Sequence, residues 1–247
     1  MAKRRYKNPP LEEAICEFRF QSDSPWDVAI PGLLVERLAR DLPERRPATT
    51  FETRSRPVSD GSETQLKSVN WLQLWQEDGK ALVQVSANRL SVNRLAPYPG
   101  WEEFLPLVEK ALREYRAVAK PSGLQQATVR YINRIKFEDL IHLEEYFDLY
   151  PFVGQGLPQD FSSFIVGFQT AYQQGREVLE VQMSSVASDE SRIPSILLDL
   201  VYLSGQPEAV KFEDLPEWLT YAHDQIENVF EGCIKESLRE RFGEVKE

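Results

Sequence analysis

The feature that most constrains this chain is a set of short segments in which apolar and polar residues alternate with period two, several of them joined by very short turns. Glu12–Phe20 sets Ala14, Cys16, Phe18 and Phe20 on one face and Glu13, Ile15, Glu17 and Arg19 on the other. Pro9-Pro10 cannot sit inside a sheet, so this strand begins after them. Val69–Gln76 and Lys80–Ala87 are joined through Glu77-Asp78-Gly79, and Asp-Gly between alternating runs predicts a hairpin. Arg89–Leu95 continues the meander. Leu124–Phe137, Phe161–Gln173, Arg176–Ser185 and Ile196–Leu203 read as further strands, with Gln174-Gly175 as a second hairpin turn. Strands joined by such turns run antiparallel, because a parallel pair needs a long crossover.

Spacings of three and four mark the helices. Asp27–Leu42 carries Ile30, Leu33, Leu34 and Leu38 and is ended by Pro43; Trp101–Val118 carries Leu105, Val108, Leu112 and Tyr115. Asp139–Tyr150 reads as a short helix, and Pro216–Arg241 as a long one with Leu219, Ala222, Ile226, Phe230 and Cys233 inward. Pro57–Lys67, with Asp60-Gly61, reads as a polar turn or loop, and Pro151–Gln159 as a connector. The order strand–helix–three strands–helix therefore occurs twice, over residues 1–120 and 121–247, and both closing helices open near a tryptophan, Trp101 and Trp218. The expected fold class is α+β, with antiparallel sheets covered by helices and an element order that admits two similar halves within one compact unit.

A chain of 247 residues can bury a core without disulfides or metal. Its formal net charge of -10 disfavours a duplex-binding protein, which needs clustered cations. Two local basic patches, Lys3-Arg4-Arg5 with Lys7 and Arg37, Arg40, Arg45, Arg46, read as a solvated terminus and a solvated helix face. The two cysteines, Cys16 and Cys233, fall on apolar faces and suit a reducing compartment. The basic N-terminus is followed by Asn8-Pro9-Pro10 rather than an apolar run, so it does not read as a signal peptide, and no apolar stretch is long enough to span a membrane. The expectation is a soluble, cytoplasmic protein without a membrane partner.

The opening Tyr6-Lys7-Asn8-Pro9-Pro10-Leu11-Glu12-Glu13-Ala14 with Glu17-Phe18-Arg19-Phe20 resembles the start of a sporadically distributed, uncharacterised prokaryotic protein family. Pro31-Gly32-Leu33-Leu34, Pro97-Tyr98-Pro99-Gly100-Trp101, Arg130-Tyr131-Ile132-Asn133-Arg134-Ile135, and Ala222-His223, Phe230, Cys233-Ile234 and Leu238-Arg239 extend the resemblance to about Phe242. It implies no catalytic or ligand residues. A patchy distribution implies accessory cargo, such as a toxin–antitoxin or defence locus.

Motifs for chemistry are absent. Histidine occurs twice: His223 beside the apolar stripe of the last helix, expected to be partly buried, and His142 beside Glu144 and Glu145, expected to be exposed. Neither joins a nucleophile motif of the Gly-x-Ser-x-Gly type, and the lone cysteines and histidines have no metal-ligand spacing. Gly154-Gln155-Gly156 lacks the third glycine of a dinucleotide fingerprint. Asp160 with Glu180-Val181-Gln182 only loosely resembles a metal-nuclease carboxylate pair, with Gln182 where a lysine is usual. No catalytic residue, metal ligand or cofactor is expected, and the leading reading is a non-enzymatic interaction or binding protein.

Alternation does gather one candidate surface. Arg130, Ile132, Arg134 and Lys136 share a face opposite Val129, Tyr131, Ile135 and Phe137; Leu72 and Leu74 read as core, which turns Trp71, Gln73 and Trp75 the other way. If these strands share a sheet, its helix-free face carries Trp71, Trp75, Arg19, Arg130 and Arg134. Such a face can bind a protein partner, form a homodimer or stack on nucleic-acid bases, or its arginines can pair with carboxylates such as Glu17 as internal packing. Asn133 points toward the core by the same alternation, so its amide must be hydrogen-bonded, to a loop or at a bulge.

Overall fold

The computed structural model describes residues 4–21, 23, 26–58, 61–137, 142–154, 156–157, 163–186 and 195–245, with side chains outside 52–65. Lys3, the start of the segment expected as a helix over 139–150, Gln155, Asp160 and Phe161 lie outside the described residues.

The strands are β1 (Leu11–Phe20), β2 (Glu44–Val58), β3 (Gly61–Trp75), β4 (Ala81–Ser86), β5 (Arg89–Leu95), β6 (Leu124–Ile135), β7 (Ile165–Tyr172), β8 (Glu177–Val186) and β9 (Ser195–Ser204). The helices are α1 (Ile30–Leu38), α2 (Trp101–Ala119), α3 (Leu215–Cys233) and α4 (Glu236–Phe242). The nine strands form one antiparallel sheet in the order β2-β3-β4-β5-β1-β6-β9-β8-β7, and the four helices pack against it, an α+β fold. β1 and β6 are central antiparallel neighbours. From each, the chain passes to an outer strand and returns by a meander to the strand's other side, through β3-β4-β5 and through β7-β8-β9.

Period-two alternation decides the layering. Ala14, Cys16, Phe18 and Phe20 on β1, Ala127, Val129 and Tyr131 on β6, and Leu198, Leu200 and Tyr202 on β9 are all buried under the helices. Phe20 stacks on Tyr115 of α2 with ring centroids 4.5 Å apart. Glu177 is the one acidic side chain among the buried described residues, and it accepts hydrogen bonds from Tyr202 (2.5 Å) and Trp218 (3.0 Å), which offset its desolvation. Both cysteines are buried and unbridged; burial drives the Cys16 thiol pKa upward, and burial with nearby Asp148 pushes that of Cys233 up to about 11.

Turn chemistry follows the sequence where the turn is local. Gly79 takes a positive φ of 67° between β3 and β4, and Asp78 accepts a hydrogen bond from the Lys80 N–H at 2.9 Å. Gly100, at φ 115°, precedes α2 in a conformation that an L side chain rarely adopts.

Five expectations are corrected. Pro57–Lys67 is not simply a loop: Pro57, Val58 and Gly61–Lys67 belong to β2 and β3, which pair along their whole length. Only Leu72–Trp75 of β3 pairs with β4, so the rest of this ribbon is held by its own ladder. Arg45 and Arg46 consequently lie on a strand, not on a helix face with Arg37. In α1 the buried residues are Ile30, Leu34, Val35 and Leu38, while Leu33 is exposed. In the described part of 139–150 there is one 3-10 turn, Leu143–Glu145. The long last helix is broken: Ile234 is extended and bridges Phe147, and Arg239 donates to the carbonyls of Glu231 and Ile234 at the end of α3.

Candidate functional site

Trp71, Trp75, Arg19, Arg130 and Arg134 do share the helix-free face, as strand register requires, but the face disperses them. Across the sheet, Trp75 is opposite Leu82, then Asn93, Ile15 and Arg130, so Trp75 and Arg130 are four strands apart, roughly 19 Å at about 4.8 Å per strand. The guanidinium groups are also occupied. Arg130 makes a two-pronged contact with Asp199 at 2.8 and 2.6 Å, Arg134 reaches both oxygens of Glu12 at 3.0 and 2.8 Å, and Arg19 donates to Glu17 at 2.7 Å. Asp199, then desolvation in the opposite sense, moves the Arg130 pKa upward on balance. Trp71 donates to Thr50 at 2.9 Å and is nearly buried; Trp75 donates to Gln73 at 3.0 Å, with the Arg46 guanidinium 4.5 Å above its ring. The face is therefore a lattice of closed pairs.

Polar side chains converge instead on the helix-covered side. A cavity of about 730 Å³ lies between the N-terminal strap (Arg4–Leu11), the Tyr98-Pro99-Gly100-Trp101 turn, the end of β6 and one flank of α3. The strap is tied to the far terminus: Lys7 and Asn8 donate to the carbonyls of Gly243 and Phe242, and Val245 donates to that of Arg5. The cis Ala96–Pro97 bond precedes the turn that sets Trp101 at the start of α2. Asn133, buried at the end of β6, donates to the Leu198 carbonyl at 3.3 Å, and the β1–β6 register shifts between Leu11 and Glu13, so the amide lies at a bulge and its partner is the neighbouring strand β9, not a loop.

His223 on α3 is the centre of the cavity wall and is 1 % exposed. Trp101 stacks on its ring, with centroids 4.5 Å apart and an interplanar angle of 9°. Its Nδ1 is 2.8 Å from the Tyr131 hydroxyl, which is 3.0 Å from the Tyr98 hydroxyl. Burial is the main cause that drives both phenol pKa values upward, so both hydroxyls keep their protons at neutral pH. The other ring nitrogen, Nε2, is 3.4 Å from Glu227 Oε1, one helical turn along, and Asp224 completes a group of three whose ligand atoms lie within 4.8 Å of one another. The Trp101 indole N–H is buried and makes no hydrogen bond to the described residues.

The cavity is lined by five acidic and three basic side chains. Its arginines are engaged: Arg239 with Glu231 (3.0 Å) and Arg5 with Glu102 (3.8 Å) on the wall, and Arg4 with Glu244 (3.0 Å) outside the lining. Tyr6 also donates to Glu231 at 2.6 Å; burial, then this carboxylate, raise its pKa. The wall thus combines an acidic excess with Tyr98, Trp101 and Phe230, a combination that can hold a cation.

His223 lies beside the apolar stripe of α3, as its spacing predicts, and is buried more fully than the partial burial expected of it. Pro9-Pro10, Tyr98-Pro99-Gly100-Trp101, Tyr131, Asn133, His223 and Phe230 line this one cavity, and no local spacing in the sequence links them. The fold and site define the protein as a single-sheet α+β protein with an acidic, aromatic-walled cavity between its helices and the sheet. No family model, curated protein or solved structure matches the chain.

Proposed function

We propose that this chain is a binding protein that takes a cationic ligand into the cavity between α2, β6 and α3. The observation that carries the reading is the acidic excess on an aromatic wall whose central polar side chain, His223, is locked by Trp101 and Tyr131 before any ligand arrives. A preorganised wall loses little entropy on binding. The helix-free face supports recognition less well, because its arginines already have carboxylates.

The test is a thermal-shift screen against organic cations (tetramethylammonium, arginine amide, spermidine) and divalent metal ions. A ligand at a hundred times its dissociation constant stabilises by about 2.7 kcal/mol, which for a chain of this size raises Tm by on the order of 5–10 °C. At least one cation is expected to do so, and Glu227→Gln, at a side chain 40 % exposed, is expected to shrink the shift while leaving the unliganded Tm nearly unchanged. Failure of every cation to shift Tm removes the reading.

A further inference from the structure

Resting on the cation-binding reading of the cavity, we infer that the cation is a divalent transition-metal ion of the zinc class, held by His223 Nε2 and the carboxylates of Asp224 and Glu227.

The distance between His223 Nε2 and Glu227 Oε1 is the first argument. At 3.4 Å it is too long for a charge-assisted hydrogen bond, which closes to about 2.7–2.9 Å. Two ligand atoms bonded to one ion at about 2.0–2.1 Å across a tetrahedral angle stand roughly 3.4 Å apart. The pair is spaced as two ligands of a shared ion. Residues 223 and 227 are one turn apart on α3, so they project from the same side of the helix, and the Asp224 carboxylate reaches to within 4.8 Å of both ligand atoms. Small rotations of the two half-buried carboxylates can close the set.

The support behind His223 is the second argument. A metal-bound imidazole hands its other ring N–H to a fixed partner, which sets the tautomer and the ring plane. Here Nδ1 faces the Tyr131 hydroxyl at 2.8 Å, and the Trp101 ring lies parallel against the imidazole. The Tyr131–Tyr98 hydroxyl pair can run in either direction. Without a metal, Tyr98 donates to Tyr131, Tyr131 donates to Nδ1, and Nε2 carries the proton toward Glu227. With a metal bound, the chain reverses: Nδ1–H donates to Tyr131, Tyr131 donates to Tyr98, and the Nε2 lone pair faces the ion. The two states carry the same number of protons: the imidazole stays neutral and changes tautomer, the proton that leaves Nε2 being matched by one taken up at Nδ1. One imidazole with two carboxylates selects zinc-class ions over calcium or magnesium, which prefer oxygen alone.

The third observation is independent of the triad. The buried Trp101 N–H, which finds no acceptor among the described residues, belongs to the same cavity wall, and an oxygen ligand completing the shell of a three-coordinated ion is the kind of group that would accept from it.

The test uses the tag-free 247-residue chain, stripped with a chelator and titrated with zinc chloride by calorimetry, with bound metal counted by mass spectrometry after gel filtration. One zinc per chain is expected. Glu227→Gln and Asp224→Asn, both at partly exposed positions, are each expected to weaken binding ten-fold or more, and Tyr131→Phe to weaken it roughly ten-fold as a positioning change. His142→Ala, at the exposed second histidine, is expected to change nothing. Cobalt(II) in place of zinc is expected to give the visible absorption of a four-coordinate site, lost in His223→Gln with the fold checked by its circular dichroism. Substoichiometric zinc, or unchanged affinity in both carboxylate variants, overturns the metal assignment. Should organic cations still bind and lose affinity in Glu227→Gln, the cavity reading survives without the metal; should no cation of either kind bind, both readings fall.

Discussion

The two faces of the sheet use the same side-chain chemistry to opposite ends. On the helix-free face, cations and carboxylates meet their partners on the same strand or the next: Arg19 with Glu17, Arg130 with Asp199, Arg134 with Glu12. Each contact is closed locally, so the surface stays polar, with its tryptophans on β3, strands away from Arg130 and Arg134 on β6. On the helix-covered face, the chain crosses from sheet to helix layer, and polar groups far apart in sequence are forced into one hollow. There Tyr131 and His223 meet across 92 positions. A group satisfied by its strand neighbour has nothing left to offer a ligand; a group held from behind can present its other side.

Three measurements break or sharpen this contrast. The largest effect belongs under the helices: Phe18 is fully buried, and Phe18→Ala is expected to lower unfolding free energy by about 3–5 kcal/mol through the cavity it leaves, read from urea midpoints. A loss as small as that of a surface change would mean that the helix layer is not the core. Next is Trp75→Ala on the opposite face. Its ring is half-buried beneath Arg46, so about 1 kcal/mol is expected. A cost near that of Phe18→Ala would place a hidden core on the helix-free side. The smallest effect is the Arg130–Asp199 coupling, about 0.5 kcal/mol by a double-mutant cycle and weaker in salt, since the arginine is 42 % exposed. A coupling of several kcal/mol would mean that this face is shielded from water, as an interface would be.

Much of this layering was legible in the chain. Alternation assigned every residue of 14–20 to its observed face, the Asp78-Gly79 signal located a hairpin, and the spacing in 101–118 marked α2 to within a residue. What escaped was structure without a local signature. β2 is polar and contains Pro47 and Pro57, and proline within a run argues against a strand; here it is tolerated because β2 is an edge strand paired with β3 alone. Ile234 continues the apolar rhythm of α3, yet it leaves the helix to bridge Phe147, a competition decided by a segment nearly ninety positions away.

The candidate site divides the same way. That Trp71, Trp75, Arg19, Arg130 and Arg134 share a face follows from strand period alone, because successive side chains alternate whatever surrounds them. That their charges are already paired depends on which strands are neighbours, and β6 and β9 meet across the 59 residues that separate them in sequence. By itself the sequence determined the class of fold and the sides of its strands, since both rest on interactions between near neighbours. The cavity around His223 was decided by tertiary structure, because its strap, turn, strand and helix are brought together only when the sheet and the helix layer close over a common core.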